Sequence, residues 1–254
     1  MGDIGLYEQR RYCLSLSGGG VRGAFHLGVL QYLYEQNIQI EAISGSSIGA
    51  IIGAFYSAGI EPKKQLEIFS SKEFKEIFKF NYFKQGVFKI DEKAKILKNI
   101  IPYKNIEDLP IPLYVSTLNM TKQKKEIYNK GSILPILLGS SAIIPLLKPI
   151  KYNNQLLVDG GFVDNLPISK LNKYNSKIIG INLHPMVKFN EPKSTYNLIK
   201  KTFRALWLNH TLNSIDNCDI YITTPQLLDY SLFKFKNMKS LYELGYEEAK
   251  KIKF

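Results

Sequence analysis

Apolar positions along this 254-residue chain change their period as they go, and each change marks an element. Leu14-Ser15-Leu16-Ser17 alternates and predicts a short strand that stops at Gly18-Gly19-Gly20. Arg22 to about Gln36 predicts a helix that is apolar nearly all round (Ala24, Phe25, Leu27, Val29, Leu30, Leu33) and therefore buried. Glu41 to Ser44 predicts a second strand. Ile48, Ile51, Ile52 and Phe55 then keep i, i+3, i+4, i+7 spacing in a helix that runs to Ala58. Two strands joined by a buried helix form a parallel unit with a right-handed crossover. Parallel strands end on one edge of their sheet, so the glycine run and Ser47 are expected side by side.

Beyond Gly59 the pattern predicts helices at 62–78 and 91–99, a strand at 112–119 and another at 125–128. A helix near 132–142 carries the small residues Gly139, Ser140, Ser141 and Ala142, which permit close packing. A hairpin over 152–158 turns at Asn153-Asn154 and ends at Asp159-Gly160-Gly161. A buried strand at 177–183, a helix at 195–214, a strand at 219–223 and a helix at 236–252 complete the series. This alternation predicts an α/β fold of three layers, α/β/α, around a mainly parallel sheet. Residues 1–254 are read as a single domain, since a chain with 45% hydrophobic residues is long enough for one sizeable core. The motifs fall within about 12–185, and 186–254 complete the domain.

Composition narrows the function classes. No apolar run reaches 20 residues, so no spanning helix is expected. Residues 1–12 hold Asp3, Glu8, Arg10 and Arg11, which argues against a secretory leader. Two cysteines, Cys13 and Cys218, make a disulfide framework improbable and a cytoplasmic location the expectation. The net charge of +12 is uneven: residues 1–60 hold three basic and four acidic side chains, leaving 31 and 18 for the rest. Only four of the basic residues are arginines (Arg10, Arg11, Arg22, Arg204), so nucleic acid is not an expected partner. Two readings of the lysines stand. One is a compositional habit, in a chain also rich in Ile, Asn and Tyr, and it is preferred. The other is peripheral attraction to an anionic membrane.

Two stretches carry chemistry. Gly45-Ser46-Ser47-Ile48-Gly49 follows a strand and opens a helix, which is the setting of a G-x-S-x-G nucleophile elbow with Ser47 at its tip. Gly18-Gly19-Gly20-Val21-Arg22-Gly23 brings backbone N–H groups to a helix N-terminus, where negative charge is stabilised. The spacing also fits a dinucleotide fingerprint, but that needs an acid at the carboxyl end of the second strand. Glu41 lies at the start of that strand, and its end is occupied by the elbow. The oxyanion reading is preferred, with Arg22 orienting the loop, contacting a phosphate or lying at the surface. For the base that activates Ser47, the residues leave Asp159 and His184 both open. His26 reads as a packing residue inside the first helix, and His210 carries little signal.

The runs at 18–30, 45–49 and 159–161, in that order, resemble the patatin-like phospholipase family. Weaker similarity covers the Ser141 to Pro145 segment and Asp159 to Pro167. The resemblance implies a patatin-like fold, a Ser47–Asp159 dyad and an oxyanion loop at Gly18, Gly19 and Gly20. It assigns His26 no catalytic role and implies no cofactor and no metal. The implied reaction is hydrolysis of acyl esters of phospholipids or lysophospholipids through an acyl-enzyme. An acyltransferase or thioesterase with the same elbow, and a non-catalytic lipid- or nucleotide-binding module, are the alternatives. Oligomeric state is not addressed by any motif. Residues 73–90 interleave aromatic residues (Phe74, Phe78, Phe80, Tyr82, Phe83, Phe88) with lysines and read either as an interfacial lid or as a core helix. Phe233-Lys234-Phe235 and the region of Trp207 pose the same choice.

Overall fold

The computed structural model describes residues 11–77, 100–144, 147–186 and 194–254. The helix expected at 91–99, most of the 73–90 segment, Pro145 and the side chain of Trp207 lie outside the described residues.

Strand β1 (Arg11–Leu16) runs parallel to β2 (Gln39–Ser46) on one side and to β7 (Lys177–Ile181) on the other. β2 pairs in parallel with β3 (Leu113–Asn119), and β7 with β8 (Ile220–Ile222). Three antiparallel pairings finish one side of the sheet: β3 with β4 (Lys124–Tyr128), β3 with β6 (Gln155–Asp159), and β6 with β5 (Ile150–Tyr152). The mainly parallel expectation holds for the strands that carry the glycine loop and the elbow.

Side chains alternate across the sheet as the pleat requires. Leu14, Leu16, Ile43, Val115, Ile179 and Ile181 point into the larger core. That core is closed by α1 (Gly23–Glu35), α2 (Ile48–Ser57), α3 (Pro62–Ser70), α5 (Ile133–Ser140) and α7 (Met238–Lys250). Cys13, Ala42, Tyr114 and Ile178 face the other way, onto Ile168 and Leu171 in the segment after β6 and onto Cys218, just past α6 (Thr195–Ile215). One helical layer is therefore thick and the opposite cover thin.

The helix expected over 62–78 is two helices. α4 (Lys72–Ile77) is separate, because Ser71 is extended (φ −65°, ψ 157°) and its Oγ accepts the Phe74 N–H at 3.1 Å. A serine that caps the following turn ends the preceding one. Phe74 is 2% exposed and stacks on Phe69 with ring centroids 4.4 Å apart, so this part of the 73–90 segment is core. Among the described residues, no helix is long and apolar enough to cross a membrane.

Candidate active site

β3 brings the two ends of the site together. Its residues 113–116 pair with β2 and 117–119 with β6, while β4 occupies 115–119 along the opposite edge. β2 and β6 therefore share one edge of β3 and run toward each other. Ser46 sits opposite Ser116 and Asp159 opposite Thr117, so the strands meet tip to tip with Ser47 and Asp159 at the junction.

Ser47 holds φ 54° and ψ −126°, a strained conformation for a residue with a side chain. The turn closes because Gly45 and Gly49 lack Cβ atoms: one added at Gly49 would lie 2.2 Å from the Leu16 carbonyl oxygen. The Ser47 N–H donates to Ser140 Oγ at 2.9 Å, and that hydroxyl donates to the Ser116 carbonyl at 2.7 Å. The end of α5 thus anchors the elbow to β3.

Asp159 is fully buried. Its N–H donates to the Ala142 carbonyl at 3.1 Å, and its Oδ1 accepts the Gly161 N–H at 2.7 Å. Oδ2 makes no hydrogen bond of regular geometry among the described residues. Burial pushes the carboxyl up from 3.8 to about 7, against the opposing pull of the Ser47 hydroxyl beside it and of the Gly161 N–H. A carboxyl poised there can carry a proton in either direction near neutral pH.

The histidines are placed elsewhere. His26 is buried under the glycine loop, where its Nε2–H donates to the Ser17 carbonyl at 2.8 Å; burial lowers it to about 4, so the ring is neutral. His184 exchanges two hydrogen bonds with Asn182 through its main chain and is not part of the pocket wall around Ser47. His210 is exposed on α6. Of the two bases that the residues left open, Asp159 is the one brought to Ser47. Glu41 accepts from the Ser176 hydroxyl on the strand half remote from the elbow, away from the glycine loop.

The glycine loop lies against the nucleophile: a Cβ on Gly18 would sit 3.0 Å from that of Ser47. Gly18 spends its N–H on Asn165, at 3.1 Å from Oδ1 and 3.3 Å from the main-chain oxygen. Gly19 and Gly20 donate to no protein acceptor among the described residues. Ser47 opens into an apolar pocket walled by residues such as Phe69, Phe74, Leu147, Leu232, Phe235 and Met238. Phe233 on its wall and the neighbouring Ile144 are 43% and 41% exposed.

Sequence reasoning missed Ser140, Asn165 and residues 230–235. Ser140 stood in the small-residue run at 139–142, read only as close packing. Asn165 lay inside the Asp159 to Pro167 stretch without a role. Phe233-Lys234-Phe235 was noticed for its composition, which carries no hint of contact with the glycine loop.

Comparison with known proteins adds the family signal. Residues 14–171 match the family model described as patatin-like phospholipase. A Mycosarcoma maydis protein named lysophospholipase NTE1 is 32% identical over 181 residues, covering 63% of this chain and 9% of that protein. A protein of the same name from Pyricularia oryzae is 29% identical over 191 residues, covering 67% of this chain and 12% of that one. The matched part is thus about a tenth of the length of these relatives. Among solved structures, VipD from Legionella pneumophila superposes with a TM-score of 0.54 at 16% identity, covering 96% of this chain and 66% of that one. At that identity the likeness concerns the fold.

Proposed function

Because the chain belongs to the patatin-like phospholipase family, we propose that it is a serine lipid acyl hydrolase acting on phospholipids or lysophospholipids through a Ser47–Asp159 dyad. The observation that carries this reading is the tip-to-tip meeting of β2 and β6, which sets the strained Ser47 against a buried carboxyl raised to about 7. Asp159 takes the Ser47 proton as Oγ attacks the ester carbonyl. The N–H groups of Gly19 and Gly20, which meet no acceptor among the described residues, receive the developing oxyanion; one such donor is typically worth about 3–4 kcal/mol of barrier. Gly18 shapes the loop rather than donating, since Asn165 holds its N–H. Asp159 then passes its proton to the leaving alcohol, and a water attacks the acyl-enzyme with Asp159 again as base.

The apolar pocket supports an acyl chain, and the relatives' printed name, lysophospholipase, supports the substrate class. Exposed Ile144 and Phe233 beside exposed Lys148, Lys234 and Lys236 support peripheral contact with an anionic membrane. Cys13 and Cys218 are free thiols, in keeping with a cytoplasmic compartment.

The test is labelling with a fluorophosphonate probe together with fatty-acid release from a lysophospholipid, for wild type, Ser47→Ala and Asp159→Asn. Wild type labels at Ser47 and releases fatty acid, Ser47→Ala does neither, and Asp159→Asn loses at least a thousandfold in kcat. Undiminished turnover in either variant refutes the dyad. Faster acyl transfer to an added alcohol or thiol than to water assigns the elbow to transferase chemistry instead, and faster hydrolysis of an acyl thioester than of the oxygen ester assigns it to thioesterase chemistry.

A further inference from the structure

Arg22 is 8% exposed at the start of α1, and its guanidinium points away from bulk solvent into main-chain carbonyls. Nε and Nη2 both donate to the Tyr230 carbonyl, at 2.9 and 2.7 Å, and Nη1 donates to the Leu183 carbonyl at 3.1 Å. One residue earlier, the Val21 N–H donates to the Leu232 carbonyl at 2.8 Å. Gly20, at φ 57°, comes so close that a Cβ there would lie 2.3 Å from the same Leu232 oxygen. Residues 230–232 are thus laid on residues 20–22 by backbone contact, over a sequence separation of 208 between Arg22 and Tyr230. Leu183, the third party, packs on Gly19 and donates its N–H to Ser17 Oγ at 2.9 Å. From this latch the chain continues directly into the pocket: Leu232, Phe233 and Phe235 line it together with Ser47.

We propose that Arg22 is a positioning residue that latches the strap Tyr230–Phe235 onto the glycine loop, and that the strap, held in this way, is the wall that sets acyl-chain-length preference. The proposal rests on the hydrolase reading above and adds to it a specificity element outside residues 14–171. Geometry favours arginine over lysine here. A planar fork places two donors on one carbonyl while a third reaches another chain segment, and a single ammonium does not span both. Neither carbonyl carries a full charge, so the pair of contacts stores direction rather than charge neutralisation. A guanidinium spent on Tyr230 and Leu183 is, in this arrangement, turned toward the protein and not toward a phosphate in the pocket.

The experiment measures kcat and KM for nitrophenyl butyrate and nitrophenyl palmitate, with wild type, Arg22→Lys, Arg22→Met and Phe235→Ala. Loss of the latch frees the strap, so kcat/KM for the palmitate ester falls at least tenfold more than for the butyrate ester in both Arg22 variants, mainly through KM. Phe235→Ala, which leaves the latch intact, shifts the same ratio in the same direction and serves if the Arg22 variants fold poorly. A long-to-short ratio unchanged from wild type in folded Arg22 variants overturns the proposal, and where those variants do not fold an unchanged ratio in Phe235→Ala does so. So does full rescue by Arg22→Lys, which would reduce the role to positive charge. A wild type that hydrolyses neither ester overturns the hydrolase reading and the strap with it, and is distinguished from failure of the strap alone by that absence of basal turnover.

Discussion

Residues 11–58 and residues 225–254 both line the pocket of Ser47, and they are built under different constraints. In the first stretch most residues are buried, the backbone is strained at Ser47, and glycines stand where main chains meet around the elbow. In the second, exposed lysines and half-buried aromatic residues alternate along a strap that leads into an amphipathic helix. Reaction geometry tolerates little displacement, so its residues form short local motifs. A pocket wall has only to be apolar and correctly placed, and many sequences satisfy that. The two stretches meet at Arg22 and again where α1 crosses α7, with Cβ positions at Gly28 and Gly245 within 1.9 and 2.1 Å of the opposing backbone.

The largest expected effect lies in titration on the side of the first stretch, where β6 brings Asp159 to the elbow at Ser47. For Asp159 the folded value of about 7 lies above the ordinary 3.8, so the native state holds the proton longer than the unfolded chain does. Its contribution to stability is therefore full below about pH 4 and is lost as pH rises to 7. Asp159→Asn escapes this loss and is more stable than wild type above pH 7, by up to about 4 kcal/mol. Melting temperatures of the two proteins diverge between about pH 4 and 7 and keep a constant difference above that. Over the same range, wild-type kcat/KM rises about tenfold per pH unit and levels off above 7. Curves that run parallel through this window would show that the active-site half carries no stored electrostatic cost.

Next in size are two glycine substitutions that ask whether the halves separate functionally. Gly49→Ala drives a methyl group into β1 at Leu16, and Gly245→Ala drives one into α1 at Phe25. Each costs about 3 kcal/mol or more, by overpacking against backbone. The consequences differ: the folded fraction of Gly49→Ala loses probe labelling at Ser47, whereas that of Gly245→Ala keeps it. Equal loss in both would mean that the helix crossing, not the elbow, governs the nucleophile.

This difference also explains what could be read in the residues alone. Ser47 and the glycine loop announce themselves because a strained turn admits few residue types, whereas Asp159 stands level with His184 in the residues alone and is singled out only by the family resemblance. The elements of the parallel core follow from their periodicity. Ser140 contacts the elbow across a separation of 93 residues and Asn165 contacts Gly18 across 147, through bonds that any serine or asparagine can make. Nothing local distinguishes them. The break between α3 and α4 is hidden for a related reason: Leu66, Phe74 and Ile77 keep one helical face at i, i+8, i+11, while one capping hydroxyl at Ser71 decides the backbone.

The smallest effects concern charge. Lys122 and Lys125, beside β4, are spent on Glu126 and Asp164 at 2.7 and 2.8 Å. Lys148, Lys234 and Lys236, near the pocket mouth, are exposed and meet no carboxylate among the described residues. In the proposed membrane contact only the second group faces anionic headgroups, where each contributes about 1 kcal/mol. Vesicles of phosphatidylcholine with and without phosphatidylserine separate the two groups in a sedimentation assay. Each of Lys148→Gln, Lys234→Gln and Lys236→Gln weakens binding to the anionic vesicles about fivefold, an effect that fades at high salt. Lys122→Gln and Lys125→Gln change it little. Phe233→Ala lowers binding to both kinds of vesicle, because an inserted ring does not depend on headgroup charge. If the β4 lysines matter as much as those at the mouth, attraction is a property of the whole basic surface and the strap has no special part in docking.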